Sequence, residues 1–168
     1  QRQMCIRDRA IIDGMTKLYT KRHFTTKIDQ AYTVGKSSGK SAALVMVDID
    51  HFKKVNDTYG HQTGDVILIG VSQILQDSIR STDTAFRYGG EELALLLLGT
   101  GAEKAQELAE RIRKKVEEST FTGTQGESVS VTISLGISEM AEDLESAQEL
   151  IARADRALYE SKETGRNK

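Results

Sequence analysis

Residues 87–98 read Arg-Tyr-Gly-Gly-Glu-Glu-Leu-Ala-Leu-Leu-Leu-Leu, and no other stretch narrows the possible folds as much. Leu93 to Leu98 has the length and continuity of a strand buried on both faces. Gly89-Gly90 just before it predicts the turn of a β-hairpin, free to take positive φ and open to a ligand approaching the backbone. Glu91 and Glu92 then sit at the mouth of that hairpin. Adjacent acids repel one another unless a cation lies between them. Hard oxygen donors of this kind suit Mg²⁺ or Mn²⁺, and Mg²⁺ keeps waters and recruits substrate phosphates. A solvated β-turn is the simpler alternative for a Gly-Gly-Glu-Glu standing alone.

It does not stand alone. Upstream, the apolar run Leu44-Val45-Met46-Val47 ends in Asp48-Ile49-Asp50, which puts carboxylates at the C-terminal end of a buried strand, where open α/β sheets bind ligands. Polar, turn-rich residues 51–61 follow, and then a helix with Val66, Ile67, Ile69, Gly70, Ile74 and Leu75 mostly on one face. Asp48 and Asp50 could instead cap a helix. Two strands that each deliver acid at one end suit nucleotidyl transfer, in which metal ions about 3.5–4 Å apart act on the attacking and leaving oxygens.

With these residues in view, the chain resembles a GGDEF domain, the catalytic module of diguanylate cyclases, from Asp13 to Lys168. Asp13-Gly14-Met15-Thr16-Lys17-Leu18-Tyr19-Thr20-Lys21-Arg22-His23-Phe24 is similar to the family's opening D-x-L-T-G-L-x-N-R-R-x-F. Asp48 to Lys53, Asn56 to His61 and Gly64-Asp65 resemble its substrate-binding stretch, and Gly89-Gly90-Glu91-Glu92-Leu93 its signature in the Glu-for-Asp form. Residues 131–137 resemble its late strand, and Ala154 to Tyr159 with Lys162 to Asn167 its closing helix. Departures are Met15 for Leu, Lys17 for Gly, Thr20 for Asn and Leu93 for Phe. The last should point into the core and affect packing rather than chemistry.

Order along the chain predicts the architecture. Helices are expected at about residues 22–34, from residue 66 to near Ile79, at 102–118 and at 146–162. Strands are expected at 42–47, on either side of Gly89-Gly90, and at 129–138, with loops at 35–40 and 121–126. This arrangement is α+β, a mainly antiparallel central sheet flanked by helices. The family's fold resembles nucleotide cyclase and polymerase palm domains. Residues 13–168 form the expected domain; residues 1–12 read as a linker, the tail of a signalling helix, or a remnant foreign to the domain.

Composition sets the outer limits. A length of 168 residues suits one domain, and a net charge of −2 argues against nucleic acid or an anionic membrane as the main partner. The single cysteine, Cys5, allows no internal disulfide and fits a reducing, cytoplasmic setting. No apolar run reaches membrane-span length, and no signal peptide is visible.

The resemblance implies an activity: two GTP joined to cyclic di-GMP, each 3′-hydroxyl attacking the other's α-phosphate and expelling pyrophosphate. Asp48, Glu91 and the carbonyl of Ile49 would hold Mg²⁺, with Glu92 as a further ligand and Glu91 also drawing the proton from the attacking hydroxyl. Lys162 and Arg166 would neutralise the β- and γ-phosphates, although cations in a last helical turn also complement the helix dipole. Phe52 and Lys53 can offer backbone N–H groups to phosphate. Guanine presents donors on its Watson–Crick edge, so a site for it needs acceptors such as Asp65 and the Asn56 amide oxygen. A branch of the family that makes mixed guanine–adenine dinucleotides carries Ser where this chain has Asp65. Asp65 could alternatively cap a helix starting at Val66. Arg80, Asp83 and Arg87 look like the family's inhibitory product site, completed by Arg111 from a neighbouring domain; a surface ion pair is the plainer alternative. One GTP per chain implies a homodimer, and the family context implies an upstream sensor domain. Two other classes remain: a degenerate module that binds nucleotide and regulates a partner, and a one-substrate cyclase. The intact Gly-Gly-Glu-Glu with Asp48 argues against the first, and Asp65 with the signature against the second.

Overall fold

A strand apolar on both faces must be covered on both, and β1 (Ala42–Ile49) is buried along its entire length. The computed structural model describes residues 11–168. It places β1 between β3 (Glu92–Leu98) and β6 (Ile133–Glu139), with β2 (Thr84–Arg87) outside β3. All three pairings in this β2-β3-β1-β6 sheet are antiparallel. Alternation along β1 divides the core in two. Ala43, Val45 and Val47 pack with Ile67, Val71 and Leu75 of α3 (His61–Ser78) and with Ile112 and Val116 of α4 (Ala102–Glu118). Leu44 and Met46 pack on the other side with Phe24 and Ile28 of α1 (Lys21–Ser38) and Leu150 and Ala154 of α5 (Ala147–Glu163). The α+β architecture with an antiparallel sheet flanked by helices is therefore as expected, and Leu93 does lie in the core, fully buried. The expected linker at residues 1–12 falls almost wholly outside the described residues.

Four local expectations differ from what forms. The loop expected from Gly35 is helix: α1 continues to Ser38 and stops at Gly39, whose φ is +67°. Gly35 is tolerated inside it because the Met140 side chain fills the space, its Cε only 2.6 Å from where a Cβ would stand. The polar stretch after β1 forms a separate helix, α2 (Phe52–Tyr59), split from α3 by Gly60 at φ +88°. Its core contribution is Val55 with partly buried Phe52, too sparse to register as an apolar periodicity. Finally, the late strand begins at Ile133. Val129 instead belongs to a short hairpin of β4 (Phe121–Thr122) and β5 (Ser128–Val129), whose Phe121 ring lies on Gly70 of α3. The expected loop at 121–126 thus opens with a strand.

One glycine fixes how closely α5 lies on the sheet. A Cβ at Gly136 on β6 would sit 2.7 Å from Leu158 Cα and would overlap Ala154 O and Leu158 N. These are backbone atoms that cannot swing aside. Gly136→Ala should therefore destabilise the domain by about 1–3 kcal/mol, read as a lower urea midpoint at unchanged slope. An unchanged midpoint would show that the helix can lift without cost.

Candidate active site

Alternation puts Asp48 on the face of Leu44 and Met46, the face that α5 covers. Register puts Glu92 directly across from it on β3 and Ser134 on β6. Asp48 is only 7% exposed, and Lys162, in the last turn of α5, brings Nζ to 2.6 Å from its Oδ2. Burial pushes the Asp48 carboxyl above its ordinary range; the Lys162 hydrogen bond and charge oppose this, while Glu91 and Asp50 add repulsion. Glu92 is also raised, by burial first and then by the charge on Asp48. Lys162 thus contacts one acid of a pair whose charges are both disfavoured.

Among the described residues, no three His, Cys, Asp or Glu side chains converge into a ready-made metal cage. Mg²⁺ does not require one, because one or two carboxylates and substrate phosphates suffice. The donor set fits such an ion: two hard, half-desolvated carboxylates face each other across a strand pair, with Glu91 close enough to perturb both. Ile49 buries its side chain in the core, so its carbonyl is all it can contribute. Asp50 is as buried as Asp48 but already occupied. It accepts hydrogen bonds from Thr132 Oγ1 and Ser134 Oγ, each 2.7 Å, and from the Asn167 backbone N–H at 3.1 Å. Neither aspartate caps a helix, since the residue before α2 is His51, with φ +54° and no capping bond.

The hairpin turn departs from expectation in an informative way. Neither Gly89 nor Gly90 takes a positive φ. Gly89 is small because the Glu92 carboxylate folds over it, 2.8 Å from a would-be Cβ, and nothing lies within 4 Å of one at Gly90. The glycines supply space rather than an unusual dihedral. Arg87, grouped by sequence with Arg80, is instead bound to this turn. Its Nε and Nη2 donate to Gly90 O at 3.2 and 3.1 Å, and its Nη1 reaches both Asp13 oxygens at 3.3 Å. Asp13 also receives the Thr16 N–H and hydroxyl, which with Arg87 outweigh its burial and hold its carboxyl below the ordinary range. The opening motif is thereby strapped to the acidic turn. No pattern within either segment predicts that link.

Phe52 and Lys53 open α2, where first-turn N–H groups lack intrahelical acceptors and favour anions. Asn56, one turn on, lays its amide against Gly64 of α3, where a Cβ would overlap Oδ1. Gly64 is a residue whose role sequence reasoning missed: it makes the room that seats Asn56. Asp65 lies exposed inside α3, which starts at His61, so the capping alternative for it does not hold.

Arg80 pairs with Asp83 through Nε at 3.2 Å and also donates to Leu98 O and Thr100 Oγ1. The Asp83 side chain is 2% exposed and the Arg80 side chain 62%, so Asp83 holds and Arg80 presents. Arg111 is exposed on α4, and the structure brings neither it nor Arg87 into contact with Arg80. A cleft of about 830 Å³ opens between α1 and the sheet edge, lined by Tyr19, His23, Lys27, Asp83 and Leu98. It shares Asp83 with the Arg80 loop but includes none of Asp48, Glu91 and Glu92.

The class so defined is an α+β domain whose antiparallel sheet ends in paired acids beside a cation and a helix N-terminus. Residues 10–168 match the family described as diguanylate cyclase, GGDEF domain, and the chain belongs to that family. It is 48% identical over 159 residues to diguanylate cyclase A of Treponema denticola, covering 93% of this chain and 43% of that protein. It is 37% identical to diguanylate cyclase DosC of Escherichia coli, covering 94% of this chain and 34% of that one. The chain thus spans less than half the length of these relatives. The GGDEF domain of DgcB from Caulobacter crescentus, solved in complex with c-di-GMP, superposes with a TM-score of 0.91 at 35% identity, covering 95% of this chain and 94% of that one. No helix among the described residues is long and apolar enough to cross a membrane.

The raised Glu92 carboxyl has a consequence for stability. A group that binds its proton more tightly folded than unfolded loses stability as pH climbs from its unfolded value through the raised one. Glu92→Gln lacks that loss. Its urea midpoint relative to the parent chain should therefore rise as pH climbs above the ordinary glutamate range; a constant offset would refute the account.

Proposed function

We propose that this domain condenses two GTP into cyclic di-GMP and releases two pyrophosphates, acting as a homodimer in which each copy presents one GTP to the other. The observation that carries this reading is the buried Asp48 facing Glu92 across β1 and β3, with Lys162 Nζ 2.6 Å from Asp48. Asp48, the Ile49 carbonyl, Glu91 and Glu92 would hold Mg²⁺ or Mn²⁺, which when bound supplies Lewis-acid polarisation and neutralises charge on phosphate oxygens. The chain's own residues do the rest. The N–H groups of Phe52 and Lys53 take phosphate oxygens at the start of α2, and Lys162 and Arg166 neutralise the β- and γ-phosphates. Asn56 and Asp65 accept from the guanine edge. Glu91, half-exposed at the turn beside unguarded Gly90, accepts the proton as each 3′-oxygen bonds to the opposing α-phosphorus and pyrophosphate leaves.

The product would be bound in turn by Arg80, whose exposed guanidinium is held in place by buried Asp83, with Arg111 of a neighbouring copy completing the contact. Arg87, grouped with this site by sequence, is bound in this structure to Asp13 and the glycine turn. Since the chain matches less than half of its relatives' length, a sensor segment elsewhere in the full protein would set when two copies meet.

Incubating the chain with GTP and Mg²⁺ and separating the nucleotides should give cyclic di-GMP. Glu91→Gln keeps shape and removes charge, so turnover should fall by orders of magnitude with the melting temperature little changed. Turnover within a few-fold of the parent would remove Glu91 from the mechanism.

Asp65 tests the base. Because it caps no helix, Asp65→Ser changes recognition without loosening α3. Adenine would leave the Asp65 acceptor unpaired, a penalty of about 1–3 kcal/mol that serine relieves. With equal GTP and ATP, the variant should form mixed guanine–adenine dinucleotide. An unchanged product spectrum would show that Asp65 does not read the base.

A further inference from the structure

Immediately after α5 the backbone turns left-handed for three residues in succession: Gly165, Arg166 and Asn167 have φ of +121°, +61° and +49°. Residues with a Cβ adopt this region at a cost, and such a run persists only where its surroundings hold it. Here the holding is dense. The Asn167 N–H donates to Asp50 Oδ2 at 3.1 Å, and that carboxylate is itself fixed by Thr132 and Ser134. The Asn167 side chain bridges to α4, its Oδ1 accepting from Arg113 Nη1 at 2.8 Å and its Nδ2 donating to Glu117 Oε1 at 3.0 Å. Arg113 is gripped by Glu110 and Glu117, each at 2.7 Å, with its side chain only 12% exposed. Beyond Asn167, Lys168 O accepts the Leu135 N–H of β6.

What this clamp encloses is Arg166. Its backbone N–H is tied to Ser161 O, while its side chain is exposed and makes no hydrogen bond or ion pair among the described residues. One turn back, Lys162 touches Asp48; one residue on, Asn167 touches Asp50. Both anchors lie at the same end of β1, so Arg166 is held over the acidic end of the sheet. We propose that Asn167 is a positioning residue: clamped by Asp50 on one side and by Arg113 and Glu117 on the other, it holds Arg166 where the β- and γ-phosphates of a nucleoside triphosphate bind. This rests on the phosphate role assigned to Arg166 above. A residue that merely fastens the segment to the fold would affect stability alike with or without nucleotide. A positioning residue affects nucleotides only through the phosphates Arg166 meets.

The test uses 3′-deoxy-GTP, which cannot be cyclised, and 3′-deoxy-GMP, which lacks the outer phosphates. Calorimetric titration with Mg²⁺ compares the parent chain, Asn167→Gly, Arg166→Ala and the double variant, with melting temperatures recorded for each. Asn167→Gly keeps the left-handed backbone accessible and removes only the bridge. Asn167→Gly and Arg166→Ala should each weaken 3′-deoxy-GTP by about ten- to hundredfold. Both should leave 3′-deoxy-GMP nearly unchanged, and the double variant should be no worse than Arg166→Ala alone. If Asn167→Gly binds the triphosphate normally, weakens both nucleotides equally, or adds its full effect to Arg166→Ala, Asn167 serves the fold only and the proposal falls. If Arg166→Ala has no effect, the phosphate assignment itself is wrong and the proposal goes with it. Should Asn167→Gly fail to fold, the double variant Arg113→Gln, Glu117→Ala cuts both bonds of the same bridge from α4 and is judged by the same criteria.

Discussion

Two carboxylates that a β-sheet would ordinarily keep apart are here placed opposite one another, and the acidic end of the sheet follows from that pairing. Like charges across a strand pair are destabilising, and burial adds to the cost at both Asp48 and Glu92. The register cannot relax to avoid it. Sliding either strand by one residue would turn its whole apolar set to the wrong face, and β1 and β3 are buried on both faces by four helices. The packing of the core therefore enforces the electrostatic conflict at its edge. Lys162 relieves it for Asp48, reaching the acid because β1 alternation turns that residue toward α5.

Much of this arrangement can be read from sequence because it depends on local signals. The run after Gly89-Gly90 announces a buried strand, the acids at the ends of two apolar runs announce a charged sheet end, and the ordered motifs lead to the family that the comparisons establish. What escapes sequence reasoning depends on contacts between distant segments. Arg87 looks like a partner for Arg80 because both precede the turn, yet it is taken by Asp13, far away in the chain. Asp50 ends the same apolar run as Asp48, but Ser134, Thr132 and Asn167 occupy it. Helix α2 escapes because it contributes only Val55 and Phe52 to the core, too few to show a period.

Glycines illustrate the same divide. Their clustering marks turns, but not why glycine is required in each. Gly60 and Gly39 serve by conformation, with φ of +88° and +67°. Gly64, Gly89 and Gly136 serve by absence of a side chain, each beneath a group from elsewhere in the chain: the Asn56 amide, the Glu92 carboxylate and the backbone of α5. Sequence can propose the first kind from turn chemistry. The second kind becomes visible only when the neighbour is in place.

The two faces of the sheet are consequently unequal in what they contribute. On one face α3 and α4 bury apolar side chains, and α3 also carries Asp65, exposed and away from the packing. Changes in that core can alter stability with little effect on where Asp48 and Lys162 stand. On the other face α5 lies directly on β6 at Gly136, packs with Leu44 and Met46, and ends in the lysine that touches Asp48. A shift of α5 large enough to admit a methyl group would carry Lys162 with it, since helix and side chain move as one body over a single turn. The place of Asp48 and Lys162 is thus coupled to core packing through α5, whereas α3 and α4 reach the site through Gly64 beneath Asn56 and through the Arg113 and Glu117 side chains on Asn167, so substitutions that cost equal stability on the two faces should not cost equal function.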